Sequence, residues 1–281
     1  MCSSDLNEAL AVLPHGGVYT SGLLISPDGQ HVLFSGSSSS FQATDVWRLD
    51  PLEKVATFGY PDAGILGFTA DGRHVLVWHV PDDADHLLRF WDLEERRFTH
   101  AIDAPLGGYT SLGPETMRIT SVSTGSGMES LDLNAAWRHH RHILFMQHVD
   151  DLAFSPGGEL LFVASSRDLH IWSTGDGRLL RSVQTEEQSI DDMAFTNDCN
   201  WLYTKGDATL MRRDVADPTS FHVVLQGPMQ KSAFAPSVLR VALSGREGEI
   251  SIHRLLTGSE ELRLQGPGDR LRDIALSANA T

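Results

Sequence analysis

The chain has 281 residues, 41% hydrophobic and 21% charged, with a formal net charge of −15 and two cysteines. The apolar share is that of a globular protein with a sizeable core, and no apolar run approaches the ~20 residues a membrane-crossing helix needs. The acidic balance argues against nucleic acid as a partner, and Cys2 and Cys199 lie in unrelated places that suggest no disulfide framework.

In chain order, Met1 to Leu6 reads as a leader foreign to the fold or disordered. The remainder, 7–281, reads as one domain. No charged-then-apolar leader opens the chain, so the sequence predicts a cytoplasmic protein. Glu8 to Leu13 has the pattern of an outer strand. A four-strand unit then recurs near 20–58, 63–102, 107–147, 149–184, 188–226 and 228–265.

The residue that closes the first strand of each unit is Ser26, Thr69, Gly113, Ser155, Thr196, Ala235 or Ser277, at spacings of 39 to 44. The residue before it is large and apolar: Ile25, Phe68, Leu112, Phe154, Phe195, Phe234, Leu276. The residue two before is mostly small, as in Gly67, Ala153, Ala194, Ala233 and Ala275. A period of about 40–45 with four strands per unit is the mark of propeller blades, whose inner strands crowd an axis. Near Ala135 to His148 a short helix competes on composition, but the period requires a turn and an outer strand. The last unit shows only a first strand, Leu271 to Ser277. The expected fold is therefore all-β: a propeller of four-stranded antiparallel blades, six complete and a partial seventh of inner and outer strands only. On that reading the chain is a piece of a longer protein. A six-bladed ring with both ends in excess is the alternative.

Three motifs carry a resemblance to a known family: Ile25-Ser26-Pro27-Asp28-Gly29, Phe68-Thr69-Ala70-Asp71-Gly72 and Phe154-Ser155-Pro156-Gly157-Gly158. Third strands end on Trp47, on Trp91-Asp92 and on Trp172. In these residues the chain resembles the WD-repeat β-propellers, including their bacterial and TolB-like relatives. It lacks their Gly-His pair before the first strand, so their Asp-His-Ser/Thr-Trp hydrogen-bond network does not carry over. The resemblance implies a rigid scaffold that binds a protein or peptide, commonly joined to other domains.

Four residues before the strand-closing position stand Asp151, Asp192 and Asp273, and Asp150 and Asp191 double the charge. With Asp168 and Asp207 in the loops between second and third strands, they predict an acidic face over units four and five that docks a basic segment. The competing reading is that these aspartates accept backbone hydrogen bonds. His139, His140, His142 and His148 have no Cys or Glu at a metal-ligand spacing. No Gly-x-Ser-x-Gly elbow or phosphate-binding loop appears. The expectation is a monomeric interaction module with no cofactor, no nucleic acid and no membrane partner. A propeller lactonase or hydrolase, or a propeller that gates a hydrolase domain, is the alternative.

Overall fold

In the computed structural model, the residues described are 19–38, 41–59, 63–69, 71–79, 87–103, 109–112, 118–123, 127–132, 138–142, 149–235, 237, 239–265 and 271–277. Among them the strands form six four-stranded antiparallel sheets, each in simple up-and-down order. The first is β1 (Tyr19–Ile25), β2 (His31–Ser38), β3 (Phe41–Arg48) and β4 (Glu53–Gly59). The second is β5 (Ala63–Phe68), β6 (His74–His79), β7 (Leu87–Asp92) and β8 (Arg97–Asp103). The third is β9 (Tyr109–Leu112), β10 (Arg118–Ser123), β11 (Gly127–Asp132) and β12 (Arg138–His142). Then come β13 (Asp151–Phe154) to β16 (Leu179–Gln184), with β14 (Leu160–Ser165) and β15 (Asp168–Ser173) between. The fifth runs from β17 (Asp192–Phe195) through β18 (Trp201–Lys205) and β19 (Thr209–Asp214) to β20 (Phe221–Gln226). The sixth is β21 (Lys231–Ala235), β22 (Arg240–Ser244), β23 (Ile250–Arg254) and β24 (Glu260–Leu264). Five sheets are described with their side chains; the third is described by its backbone pairing and by Ile119, which is fully buried.

First strands of successive sheets lie side by side: β5 by β9, β9 by β13, β13 by β17. The first strand is thus innermost, and the sheets stand around an axis as propeller blades. The expectation of six complete blades with a partial seventh is corrected. Leu271 to Ser277 forms no strand, and no seventh sheet exists among the described residues. A lone strand needs a neighbour's backbone to complete its ladder, and among the described residues this segment has none. Glu8 to Leu13 lies outside the described residues. The segment near Ala135 to His148 does hold an outer strand, β12, as the period required.

The turn between first and second strands explains the motif. The Ser26 hydroxyl accepts the His31 N–H at 2.8 Å and donates to the Asp28 carboxylate, which in turn accepts the Gln30 N–H at 2.9 Å. Thr69 with Asp71 and Thr196 with Asp198 repeat the arrangement. Gly29, Gly72 and Gly158 close the turn at φ of 70°, 68° and 73°, the left-handed region that glycine enters without a Cβ penalty. At the end of the third strand, Asp92 accepts the Glu94 and Glu95 N–H groups at 2.9 Å each and binds Arg73 Nε at 2.9 Å. The Trp-Asp ending therefore pairs a packing residue with a turn cap.

Both faces of a blade are apolar, and neighbouring blades cover them. Ala153, Phe162, Ala164, Leu169 and Ile171 of the fourth sheet pack on Met193, Phe195 and Leu202 of the fifth, with Ile190 between. Phe162 and Phe195 meet edge to face at 4.9 Å. Leu33, Val46 and Phe58 meet Phe68, Val75 and Val77 in the same way. Each such side chain removed from water contributes roughly 1.5–3 kcal/mol. Phe154 and Phe195, the large residues before the strand-closing position, are buried, Phe195 in the seam between the fourth and fifth sheets. Trp91 packs edge-on against Phe58 of the preceding blade at 5.2 Å.

The outer parts of the blades are clasped by the turns between third and fourth strands. Arg181 of β16 pairs with Asp217 at 3.1 Å, and Arg96 with Glu53 of β4 at 2.8 Å. At Gly258 (φ 71°) an added Cβ would sit 2.4 Å from the Val224 carbonyl oxygen of β20. Gly258→Ala is therefore expected to destabilise the protein by about 2 kcal/mol, through strain and collision together, read by chemical denaturation. Cys199 occupies the glycine slot of its turn at φ 57°. Cys199→Gly is expected to raise stability by up to about 1 kcal/mol by the same measurement; a loss would mean that the thiol's packing outweighs the backbone strain.

Candidate functional site

Asp151 and Asp192 open the inner strands β13 and β17, and Asp273 holds the same repeat position in a segment that forms no strand; each carboxylate reaches forward. The Met193 N–H of the next blade donates to Asp151. The Ser232 hydroxyl of the next blade donates to Asp192. The Leu23 N–H of β1 donates to Asp273 Oδ2 at 2.7 Å, across a sequence separation of 250 residues. Met193, Ser232 and Leu23 all stand three residues before the strand-closing position of their own units. The three bonds are one device repeated, and the third joins the last described segment to the first sheet.

The cost is electrostatic. Burial, with Asp192 and Asp150 nearby, pushes the Asp151 carboxyl up to about 8, against the pull of the Leu152 and Met193 N–H groups. Burial pushes Asp192 up to about 6, with Asp273 adding to the rise; the Ser232 hydroxyl and Lys205 oppose it. Lys205 is itself buried and pairs with Asp191 at 3.0 Å.

Of the seven predicted site residues, Asp151, Asp192 and Asp273 are thus engaged between blades. Asp191 is held by Lys205 and by the Ser189 hydroxyl at 3.0 Å, and Asp150 accepts the Ser166 N–H. Asp168, the first residue of β15, and Asp207, in the β18–β19 loop, are both exposed. The structure brings these residues to one end of the fourth and fifth blades but gives five of them partners within the chain. His139, His140 and His142 fall in β12, whose side chains lie outside the described residues, as does His148. Among the described residues no group of three His, Cys, Asp or Glu stands where it could hold a metal ion.

A second polar constellation went unread in the sequence. Arg213 stands at the repeat position of Trp172, opposite Leu202 as Trp172 is opposite Leu161. Its guanidinium is fully buried beside Phe221. It donates to the Thr204 hydroxyl at 3.3 Å, to the Pro218 carbonyl at 3.0 Å and to Glu187, which also accepts from Thr204 at 2.6 Å. This is a charged network spanning second strand, third strand and inter-blade loop. Where blades keep tryptophan, the indole Nε1 of Trp47, Trp91 and Trp172 meets no acceptor. In the place of Thr204 the fourth blade has Val163 and the second Val77, which carry no hydroxyl. The signal was legible in principle, because a charge at a blade-packing position must find a buried partner.

The raised carboxyls set a pH dependence. Both folded values lie above the ordinary 3.8, so the stability they lend is full below about pH 4 and is lost as pH rises through 6 and then 8. Asp151→Asn keeps an acceptor for the Met193 N–H and removes the ionisation. It is expected to match the parent at pH 4 and to exceed it by about 2 kcal/mol at pH 9. Parallel stability curves across that range would show that the carboxylate is not held at a cost.

No protein-family model matches the chain. A 123-residue stretch is 28% identical to the periodic tryptophan protein 2 homolog of Neurospora crassa. That stretch covers 42% of this chain and 14% of the relative, so the match spans a small part of the relative's length. The β-propeller domain of Myceliophteria thermophila Cps50 (Swd1) superposes over 95% of this chain and 91% of its own, with a TM-score of 0.75 at 14% identity. The comparisons point to the WD-repeat kind and lend no support to a bacterial or TolB-like one. The chain has the β-propeller fold, in a form similar to that of WD-repeat propellers.

Proposed function

We propose that the chain is a protein-interaction scaffold that presents an acidic end of its disc, over the fourth and fifth blades, to a basic segment of a partner. The observation that carries this reading is the placement of Asp168, which opens β15, and Asp207, in the β18–β19 loop, both exposed at the end of adjacent blades where Asp151 and Asp192 also stand. The nearby Lys205 is buried and committed to Asp191, so it does little to neutralise the surface. Rigid blades hold the loops at fixed spacing, which suits recognition without reordering of the scaffold. The similarity to WD-repeat propellers fits a scaffold role but names no partner, since fold alone does not settle function.

Asp151 and Asp192 are poor places to test the idea, because they join blades. Asp168 and Asp207 are better, being exposed. Asp168→Lys with Asp207→Lys is expected to weaken binding of an oligolysine peptide about tenfold at low salt, with an unchanged melting temperature. Unaltered affinity in the double variant would remove the acidic end as the docking face.

A further inference from the structure

The seam between the fifth and sixth blades opens into a cleft of about 250 Å³. Leu225 of β20, Met229 of the connection between the blades and Leu243 of β22 give it apolar walls. Ser251 and His253 of β23 line it from one face of their strand, as residues two apart do. Both are half-buried.

His253 stands where the fourth blade has Trp172: it is opposite Val241 as Trp172 is opposite Leu161. An imidazole there is smaller than an indole and brings two ring nitrogens, and both are engaged. Nδ1 lies 3.1 Å from the Gly258 carbonyl oxygen, and Nε2 lies 2.8 Å from the Ser251 hydroxyl. A carbonyl oxygen can only accept, so in the neutral ring the proton sits on Nδ1. Nε2 then holds the lone pair, and the Ser251 hydroxyl donates to it. The carbonyl that sets this tautomer belongs to a tight turn, in which the Gly258 N–H donates to the Arg254 carbonyl at 2.8 Å. A hydroxyl, a base within hydrogen-bond reach and an acceptor that orients the base are the parts of an activated nucleophile. Arg263 stands opposite Ser251 in the ladder, lines the same cleft and pairs with Glu260 at 3.0 Å. Its guanidinium brings positive charge to the wall where an attacked carbonyl oxygen would turn negative.

We propose that this cleft is an acyl-transfer site for small neutral esters, with Ser251 as nucleophile and His253 as base. In the first step Ser251 Oγ bonds to the ester carbonyl carbon and its proton passes to His253 Nε2. The carbon–oxygen bond to the alcohol breaks, and the leaving alcohol takes that proton, which leaves an acyl-serine. In the second step a water molecule gives a proton to Nε2 and bonds to the acyl carbon. The bond to Oγ breaks, Oγ takes the proton back, and the carboxylic acid departs. The balance requires only the ester and water. The apolar walls receive the acyl chain, and the volume of the cleft limits it to a short one. Glu249 on the wall and the net charge of −15 turn away anionic acyl donors. The site uses none of the aspartates of the acidic end, so the two proposals stand or fall separately.

The probes are p-nitrophenyl acetate, followed by release of nitrophenol from the full chain at neutral pH, and a fluorophosphonate, whose adduct is located by peptide mass spectrometry. The adduct is expected on Ser251, formed with loss of fluoride, and it should stop nitrophenol release. Ser251→Ala should abolish adduct and release while the melting temperature stays unchanged. His253→Gln should slow both about a hundredfold, the size of a general-base contribution. Labelling of the folded parent against the same chain unfolded in urea needs no variant, and only the folded chain should react at Ser251. No adduct on Ser251, equal labelling of the unfolded chain, or release undiminished in Ser251→Ala or in His253→Gln would overturn the proposal.

Discussion

The sheets described with their side chains have two apolar faces, and neither can be left to water. That constraint organises the rest. A sheet covered on both sides must have a sheet on each side, and with the right-handed twist of strands such a stack curves about an axis. The seam between the fourth and fifth blades shows the solution: Phe162, Leu169 and Ile171 on one side, Phe195 and Leu202 on the other, all buried. Polar contacts then fix the register of seams that apolar packing alone would leave free to slide. They act at the axis through Asp151, Asp192 and Asp273, and at the circumference through Arg181–Asp217 and Arg96–Glu53.

The repeat was legible because turn chemistry is local. A hydroxyl at Ser26, a carboxylate at Asp28 and a glycine at 29 complete their bonds within six residues, so the sequence displays the whole device. The large-small alternation before the turn was legible for a similar reason, since crowding at an axis acts on single positions. The seventh unit misled because Leu271 to Ser277 keeps the local pattern of an inner strand while no second strand pairs with it among the described residues. Strand formation is a property of pairs, and the pattern of one member does not supply the other.

The site was half legible. The sequence marked the right register on the inner strands but could not say whether the aspartates faced a partner or the next blade. Asp151 and Asp192 turned out to serve the seams, a role the backbone-acceptor reading had described in general terms. Asp168 and Asp207 remain on the surface because they stand where the second strand hands over to the third, at the end of the sheet. The sequence puts Arg213 in the place of a blade tryptophan but does not show its network, which depends on Glu187 and Thr204 in other strands and loops.

The bond from Leu23 to Asp273 has a mechanical meaning. It turns a row of staves into a hoop. In an open row, an end member can fray while the others stand. In a hoop, loosening any joint slackens the tension on all of them, so the segments that hold Leu23 and Asp273 guard each other's integrity. A protein built this way should tolerate change at its circumference far better than at the few atoms of that joint.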